Sequence, residues 1–310
     1  MFPVYYHAGL TILLHENKTE IRMKQFLSCF TLIVWFFTIT SCKKDTGVKE
    51  FSAEDNTAIE TEYAQLFDVV ADFLSNDTLT HKTENNILPE GVIISFIDRT
   101  YADSDGVVCL VDYGPLDHSA AYKGIPCRDG RYRAGKIGVA MSKHWTDVGT
   151  VAIVTINSSD EYYVGDGTKM YKLSGWETIT RVSDSTFTIE IENANLQREN
   201  GNMTWSANQT LRLLNGNTYG LWDTAYELSG SSQGTNKNGD AFTAEIFSPA
   251  FSLTKEVSVG CLGTFVSGVT RVINTENSAD NKFTIDYGEG ACDNSVSLVS
   301  KNGTRTSQVW

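Results

Sequence analysis

The sequence predicts an all-β protein, an antiparallel β-sandwich or curved β-meander with one N-terminal amphipathic helix. Three observations predict it. From about Val92 onward apolar residues recur with period 2, glycine- and asparagine-rich turns separate the runs, and only Ser52–Asn76 keeps a helical period. Strand-like runs follow one another with no helix between them, which excludes an alternating strand–helix layout.

The helix comes first. Ser52 followed by Asp55 resembles a capping box. Ile59, Tyr63, Leu66, Phe67, Val70 and Leu74 then form one apolar stripe, with Asp68 and Asp72 on the other side. Such a helix, residues 52–76, should pack its stripe on the β-fold and leave its acids wet. Lying on a membrane is the alternative, but an acidic face is repelled by anionic lipid.

The clearest strand is Ser185–Asn193, where Phe187, Ile189 and Ile191 alternate with Thr186, Thr188, Glu190 and Glu192. Similar runs occur at Val92–Ile97, Val107–Tyr113, Lys136–Met141, Thr150–Ile156, Thr210–Leu214, Thr224–Leu228, Phe242–Phe247, Phe265–Val272 and Phe283–Tyr287. Hairpin turns are expected at 165–167, 200–202, 215–217, 238–239 and 302–303, because Gly and Asn tolerate positive φ. Asp112-Tyr113-Gly114 with Cys127 and Asp286-Tyr287-Gly288 with Cys292 form a weak internal echo. It divides the β-region into a main domain at 77–255 and a smaller disulfide-bearing unit at 256–310.

Ahead of the helix, Met23-Lys24 precedes an apolar run from Phe26 to Thr40. That run is shorter than the roughly 20 residues of a bilayer span and has the form of a secretory h-region. Small residues leading to Cys42 resemble the lipobox of bacterial lipoproteins, which implies a signal peptide at 23–41, acylation of Cys42 and a tether at 42–51. Acyl chains anchor a protein without a transmembrane helix. Residues 1–22 carry both signs of charge ahead of a complete signal, so they read as lying upstream of the true start.

Lys+Arg is 25 against Asp+Glu 38, a net charge of −13, which argues against nucleic-acid binding. Cys29 falls in the signal and Cys42 at the lipid site, leaving Cys109, Cys127, Cys261 and Cys292. In an exported chain these suggest two disulfides, and three pairings exist. Sequential pairing, Cys109–Cys127 and Cys261–Cys292, closes the shorter loops. The absence of closely spaced Cys pairs argues against zinc.

The helix Asp55–Phe73, the block Cys127–Ile137, Thr204-Trp205 with Leu211-Arg212, Gly234–Gly239 and Thr284–Asp293 together resemble a group of Bacteroidetes lipoproteins of flavobacterial type. The resemblance covers most of the chain after the signal and keeps the motif order. It departs at Cys109, which the related chains place ahead of the strand. It implies an outer-membrane lipoprotein of the cell envelope and carries over no catalytic residue.

The chemistry-bearing candidates are few. Arg128, Arg131, Arg133 and Lys136 form the one dense basic patch, and Arg131 and Arg133 would share a strand face. Guanidinium groups on one face can hold a carboxylate or sulfate bidentately, and the competing role is pairing with the chain's own acids. Gly230–Gly234 matches G-x-S-x-G but lacks the following helix of a nucleophile elbow, so it reads as a glycine–serine hairpin. Asn236–Gly239 with Glu245 only partly imitates a calcium loop, and Asp103–Asp105 is a short acidic turn. His81, His118 and His144 are scattered, and Trp145, Trp176, Trp205 and Trp222 suit either a core or a sugar-stacking surface. The sequence therefore predicts a non-enzymatic binding or structural module without metal or cofactor. Its partners would be the membrane through the acyl anchor, and a glycan or another envelope protein. The alternative is an envelope glycan hydrolase using a carboxylate pair.

Overall fold

The computed structural model describes residues 51–75, 88–101, 106–157, 159, 161–215, 224–246, 252–258, 260–263, 265–275 and 282–308. Residues 1–50, on which the expected signal peptide, the expected acylation of Cys42 and most of the expected tether fall, lie outside the described residues, as do His81, Asp103–Asp105, Gly216 and Trp222.

Among the described residues a single helix, α1 (Phe51–Ser75), precedes seventeen strands. These are β1 (Ile93–Asp98), β2 (Val107–Asp112), β3 (Ile125–Pro126), β4 (Tyr132–Ala134), β5 (Lys136–Met141) and β6 (Val151–Ile156). Next come β7 (Tyr163–Gly165), β8 (Met170–Arg181), β9 (Thr186–Arg198), β10 (Gly201–Asn215), β11 (Thr224–Thr235) and β12 (Ala241–Ile246). The last are β13 (Leu253–Val257), β14 (Ser267–Asn274), β15 (Lys282–Glu289), β16 (Ser295–Ser300) and β17 (Gly303–Gln308).

All pairings are antiparallel. The ladder runs β1–β2–β5–β6–β8–β9–β10–β11 and continues through β14, β15 and β16 to β17. Two long strands fork it. One half of β8 pairs β6 while its first residues pair β7, which leads to β4 and β3. β11 pairs β13 through Thr224–Leu228 and β12 through Gly230–Thr235, and both of those partners reach β14. The expected boundary at 255/256 therefore falls inside β13. The strands beyond it, β14 to β17, continue the same sheet.

The meander, not the sandwich, is what forms, and it curls around α1. Residues of the helix are met from β4, β8, β9, β10, β11, β13, β15 and β17. The apolar stripe behaves as predicted: Phe67 meets Trp145, Phe187 and Tyr226, and Tyr63 meets Trp205. The expected wet face does not exist. Glu60, Glu62, Asp68 and Asp72 are all buried, because the sheet covers the side that one-sided packing would leave open. The capping box is absent too. Asp55 reaches outward from α1 to Arg198 on β9 and to the Lys237 amide, and Ser52 accepts from Asn236.

The curl is built into the strands at one level. Register slips in β8 between Ser174 and Trp176, and in β10 between Trp205 and Ala207, with Asn193 of β9 at φ 53° between them. Such irregularities sharpen bend and twist. Gly175 sits there at φ 142°, and a Cβ on it would lie 2.4 Å from the Tyr63 hydroxyl. Only glycine lets the helix come this close.

Candidate functional site

The interior contains an unusual number of ionisable groups for a protein core. Burial penalises each charge, so each must be answered or neutralised. Glu62 of α1 is met by Arg131, and Arg133 stands 3.9 Å from it. Arg133 also holds Asp129 through two hydrogen bonds of 3.0 and 2.7 Å. Burial alone would lower the Arg133 pKa, but Asp129 beside it keeps the guanidinium firmly charged. Glu60 is met among the described residues by neutral donors: the Tyr287 hydroxyl at 3.3 Å, the Gln209 amide at 3.2 Å and the Asn56 amide at 3.5 Å. Burial pushes its carboxyl up to about 8, against the pull of the Tyr287 and Gln209 hydrogen bonds.

Above the arginine cluster lies a cleft of about 240 Å³ open to the surface. Its walls are the turn Arg128–Gly130 between β3 and β4, the segment 260–263 after β13, and residues 291–294 between β15 and β16. The Cys261–Cys292 disulfide joins the last two. The Gln65 amide of α1 donates to the carbonyls of Leu262 and Gly263, tying the floor of the cleft to the helix. Asp129 accepts from the Arg131 amide at 3.1 Å, which shapes the turn around Gly130 at φ 81°. Arg128 is exposed on the rim. Two of the echo segments noted in the sequence, at Cys127 and Cys292, thus line one cleft although they are far apart in the chain.

The four basic residues separate. Arg131 and Arg133 do share a face, but that face is the inner one, 5% and 3% exposed, so they pair with Glu62 and Asp129 and offer no surface for a ligand. Arg133 lies on β4 and Arg131 just before it, and both turn toward α1 while Tyr132 between them takes the outer position. Arg128 stays outside. Lys136 is exposed on β5, 3.0 Å from Asp112 and in a different groove with Gly114, His118 and Tyr163.

Of the expected disulfides, Cys261–Cys292 is formed and Cys109–Cys127 is not. Cys109 faces inward on β2 in register with Val139 and Phe96, while the Cys127 thiol lies beyond β3 and donates to the Ile125 carbonyl at 3.5 Å. Both thiols are free, and burial pushes Cys109 up to about 12. Among the described residues the one grouping with convergent metal-ligand atoms is Glu256, Cys261 and Cys292, and both of its sulfurs belong to the disulfide.

The G-x-S-x-G segment is not a hairpin but the middle of β11, paired on both sides by β10 and β12. Ser232 points inward to Asn56 at 3.0 Å and Ser231 points outward. Asn236–Gly239 is a turn between β11 and β12, closed by the Asn236 amide donating to the Asp240 carbonyl at 2.9 Å. Trp145 and Trp205 are core residues, and Trp176 is 44% exposed on the outer face of β8. His144 stacks on Tyr101 at 4.2 Å.

Sequence reasoning missed Glu60, Glu62, Glu177 and Lys255, all buried. A signal existed for Glu177: Leu173, Gly175, Glu177, Ile179 and Arg181 hold the inward register of β8, so an acid stands at a core position. No family model, curated protein or solved structure matches the chain.

Proposed function

We propose that this protein is a lipid-anchored component of the bacterial cell envelope, of the Bacteroidetes lipoprotein type, acting as a non-catalytic binding or structural module. The observation that carries the binding reading is the occupied interior. With α1 filling the curl and its acids answered from the sheet, contact with a partner falls to the outer surface. The cleft rimmed by Arg128 is the concave feature there that joins two distant motifs and is fixed by a disulfide. A guanidinium at its mouth suits an anionic group of a glycan or of another envelope protein. A formed disulfide accords with an oxidising compartment. Among the described residues no helix is long and apolar enough to cross a membrane.

A glycan hydrolase needs two carboxylates facing each other across an open cleft. The acids that this fold gathers, Glu60, Glu62, Asp68 and Glu177, are enclosed by α1 and the sheet, where a polysaccharide does not reach.

The test has two arms on the chain expressed in an exporting bacterium. Mass spectrometry of the mature N-terminal peptide should find acyl chains on Cys42, and Cys42→Ser should move the protein out of the membrane fraction. Anionic glycans and envelope extracts captured by the wild type should be lost with Arg128→Glu. An unmodified Cys42 behind an uncleaved leader contradicts the anchor, and capture indifferent to Arg128 contradicts the cleft.

A further inference from the structure

Asp68 on α1 and Lys255 on β13 are both 0% exposed, and Nζ lies 2.6 Å from Oδ2. Despite that approach, neither atom has a partner in hydrogen-bonding geometry. The other carboxyl oxygen, Oδ1, accepts from the Tyr226 hydroxyl at 2.8 Å. Glu177 on β8 is also buried, and neither of its carboxyl oxygens has a hydrogen-bond partner. The Asp68 charge bears on it, and its own charge bears on Tyr226. One dry compartment therefore holds a primary amine, a carboxyl against it, a hydroxyl polarising that carboxyl and a spare acid.

We propose that Lys255 and Asp68 condense into an intramolecular amide that joins β13 to α1.

As an ion pair the contact is poorly rewarded. A buried charge pair repays its desolvation only with good geometry and further hydrogen bonds, and this one lacks the geometry. Burial instead pushes Asp68 up and Lys255 down, toward the uncharged acid and the uncharged amine, even though each charge would favour the other. Those neutral forms are the ones that react. Asp129 and Arg131 also bear electrostatically on Lys255, with opposite signs.

The step balances without any co-reactant. The Nζ lone pair attacks Cγ of protonated Asp68, and the bond from Cγ to Oδ2 breaks. Tyr226 donates to Oδ1, where negative charge develops in the tetrahedral intermediate. One Nζ proton passes directly to the departing Oδ2, which lies 2.6 Å from it, and leaves with it as water. A carboxylic acid and an amine become an amide and one water, and nothing is oxidised or reduced. Holding the two groups in contact replaces a bimolecular encounter, which is worth an effective concentration of about 10⁵–10⁸ M in well-oriented cases. The product locks the central helix covalently to the sheet around it.

Intact-mass measurement of the purified mature chain, with its disulfide reduced, tests this directly. The mass should fall one water molecule short of that calculated for the mature sequence with its Cys42 acyl groups, and tandem spectrometry should find a branched peptide joining the Asp68 and Lys255 segments. Lys255→Met should restore the full mass for that sequence. A wild-type chain of full mass, with Asp68 and Lys255 on separate peptides, overturns the proposal, as does a water loss mapped elsewhere. The wild-type measurement stands by itself should a variant fail to fold.

Discussion

Glu60 and Glu62 lie two residues apart on α1, equally buried, and the fold treats them in opposite ways. Glu62 faces two guanidinium groups in an ion pair inside the protein. Glu60 faces a tyrosine, a glutamine and an asparagine, and keeps its proton up to about 8. The same side chain is accommodated once by an opposite charge and once by neutralisation. What decides is which segment the curled sheet brings alongside: Arg131 and the Arg133 of β4, or β10 and β15 with neutral donors.

The largest effect should come from stranding the charged member. Arg131→Met leaves Glu62 with only the more distant Arg133, and removing one partner of a buried pair costs about 3–5 kcal/mol. Urea denaturation should show that loss, and adding Glu62→Gln should recover most of it. Recovery is the sharper half of the test, since a mere packing defect would persist.

Glu60 should respond to pH instead. It binds its proton more tightly in the folded chain than in the unfolded one, where the value is near 4.5. Stability therefore declines as pH rises from about 4.5 through about 8, is untouched by Glu60 below that window and bears the full cost above it. Glu60→Gln should match the wild type near pH 4 and exceed it by about 2–4 kcal/mol near pH 9. Equal stability at both ends would place Glu60 in the charged class with Glu62.

A smaller change should tune the same group. Tyr287→Phe removes one donor to Glu60, costing about 1 kcal/mol and moving the pH-dependent decline upward, because that hydrogen bond favours the carboxylate. The smallest effect belongs outside the curl. Arg212 and Glu227 pair at 2.7 Å on the exposed face of β10 and β11, and Arg212→Ala should leave the melting temperature unchanged.

Much of the fold was legible because strands with one wet face announce themselves. Phe187, Ile189 and Ile191 point inward on β9 as their alternation predicts, and the turns at 165–167, 200–202, 238–239 and 302–303 fall between strands as expected. β8 escaped notice because Gly175, Glu177 and Arg181 occupy inward positions and break the apolar pattern. β10 was recognised only at Thr210–Leu214, although Met203, Trp205 and Ala207 extend its inner face. β16 and β17 are too rich in Ser and Thr to stand out. The site was less legible for a physical reason. A helix with one apolar stripe implies one covered side, and nothing local tells that a sheet from Ile93 to Gln308 will cover the other. Arg131 and Arg133 read as a surface patch until α1 is placed against them, and Lys255 reads as an ordinary strand lysine until Asp68 meets it.

The central claim, that α1 is the enclosed axis of a curled sheet, is tested most directly by native-state hydrogen exchange. If it holds, amides from Ser52 to Leu74 exchange only through global unfolding, as slowly as the central strands β9 and β10. Exchange of α1 at the rate of a surface helix, with β9 and β10 still protected, would contradict it.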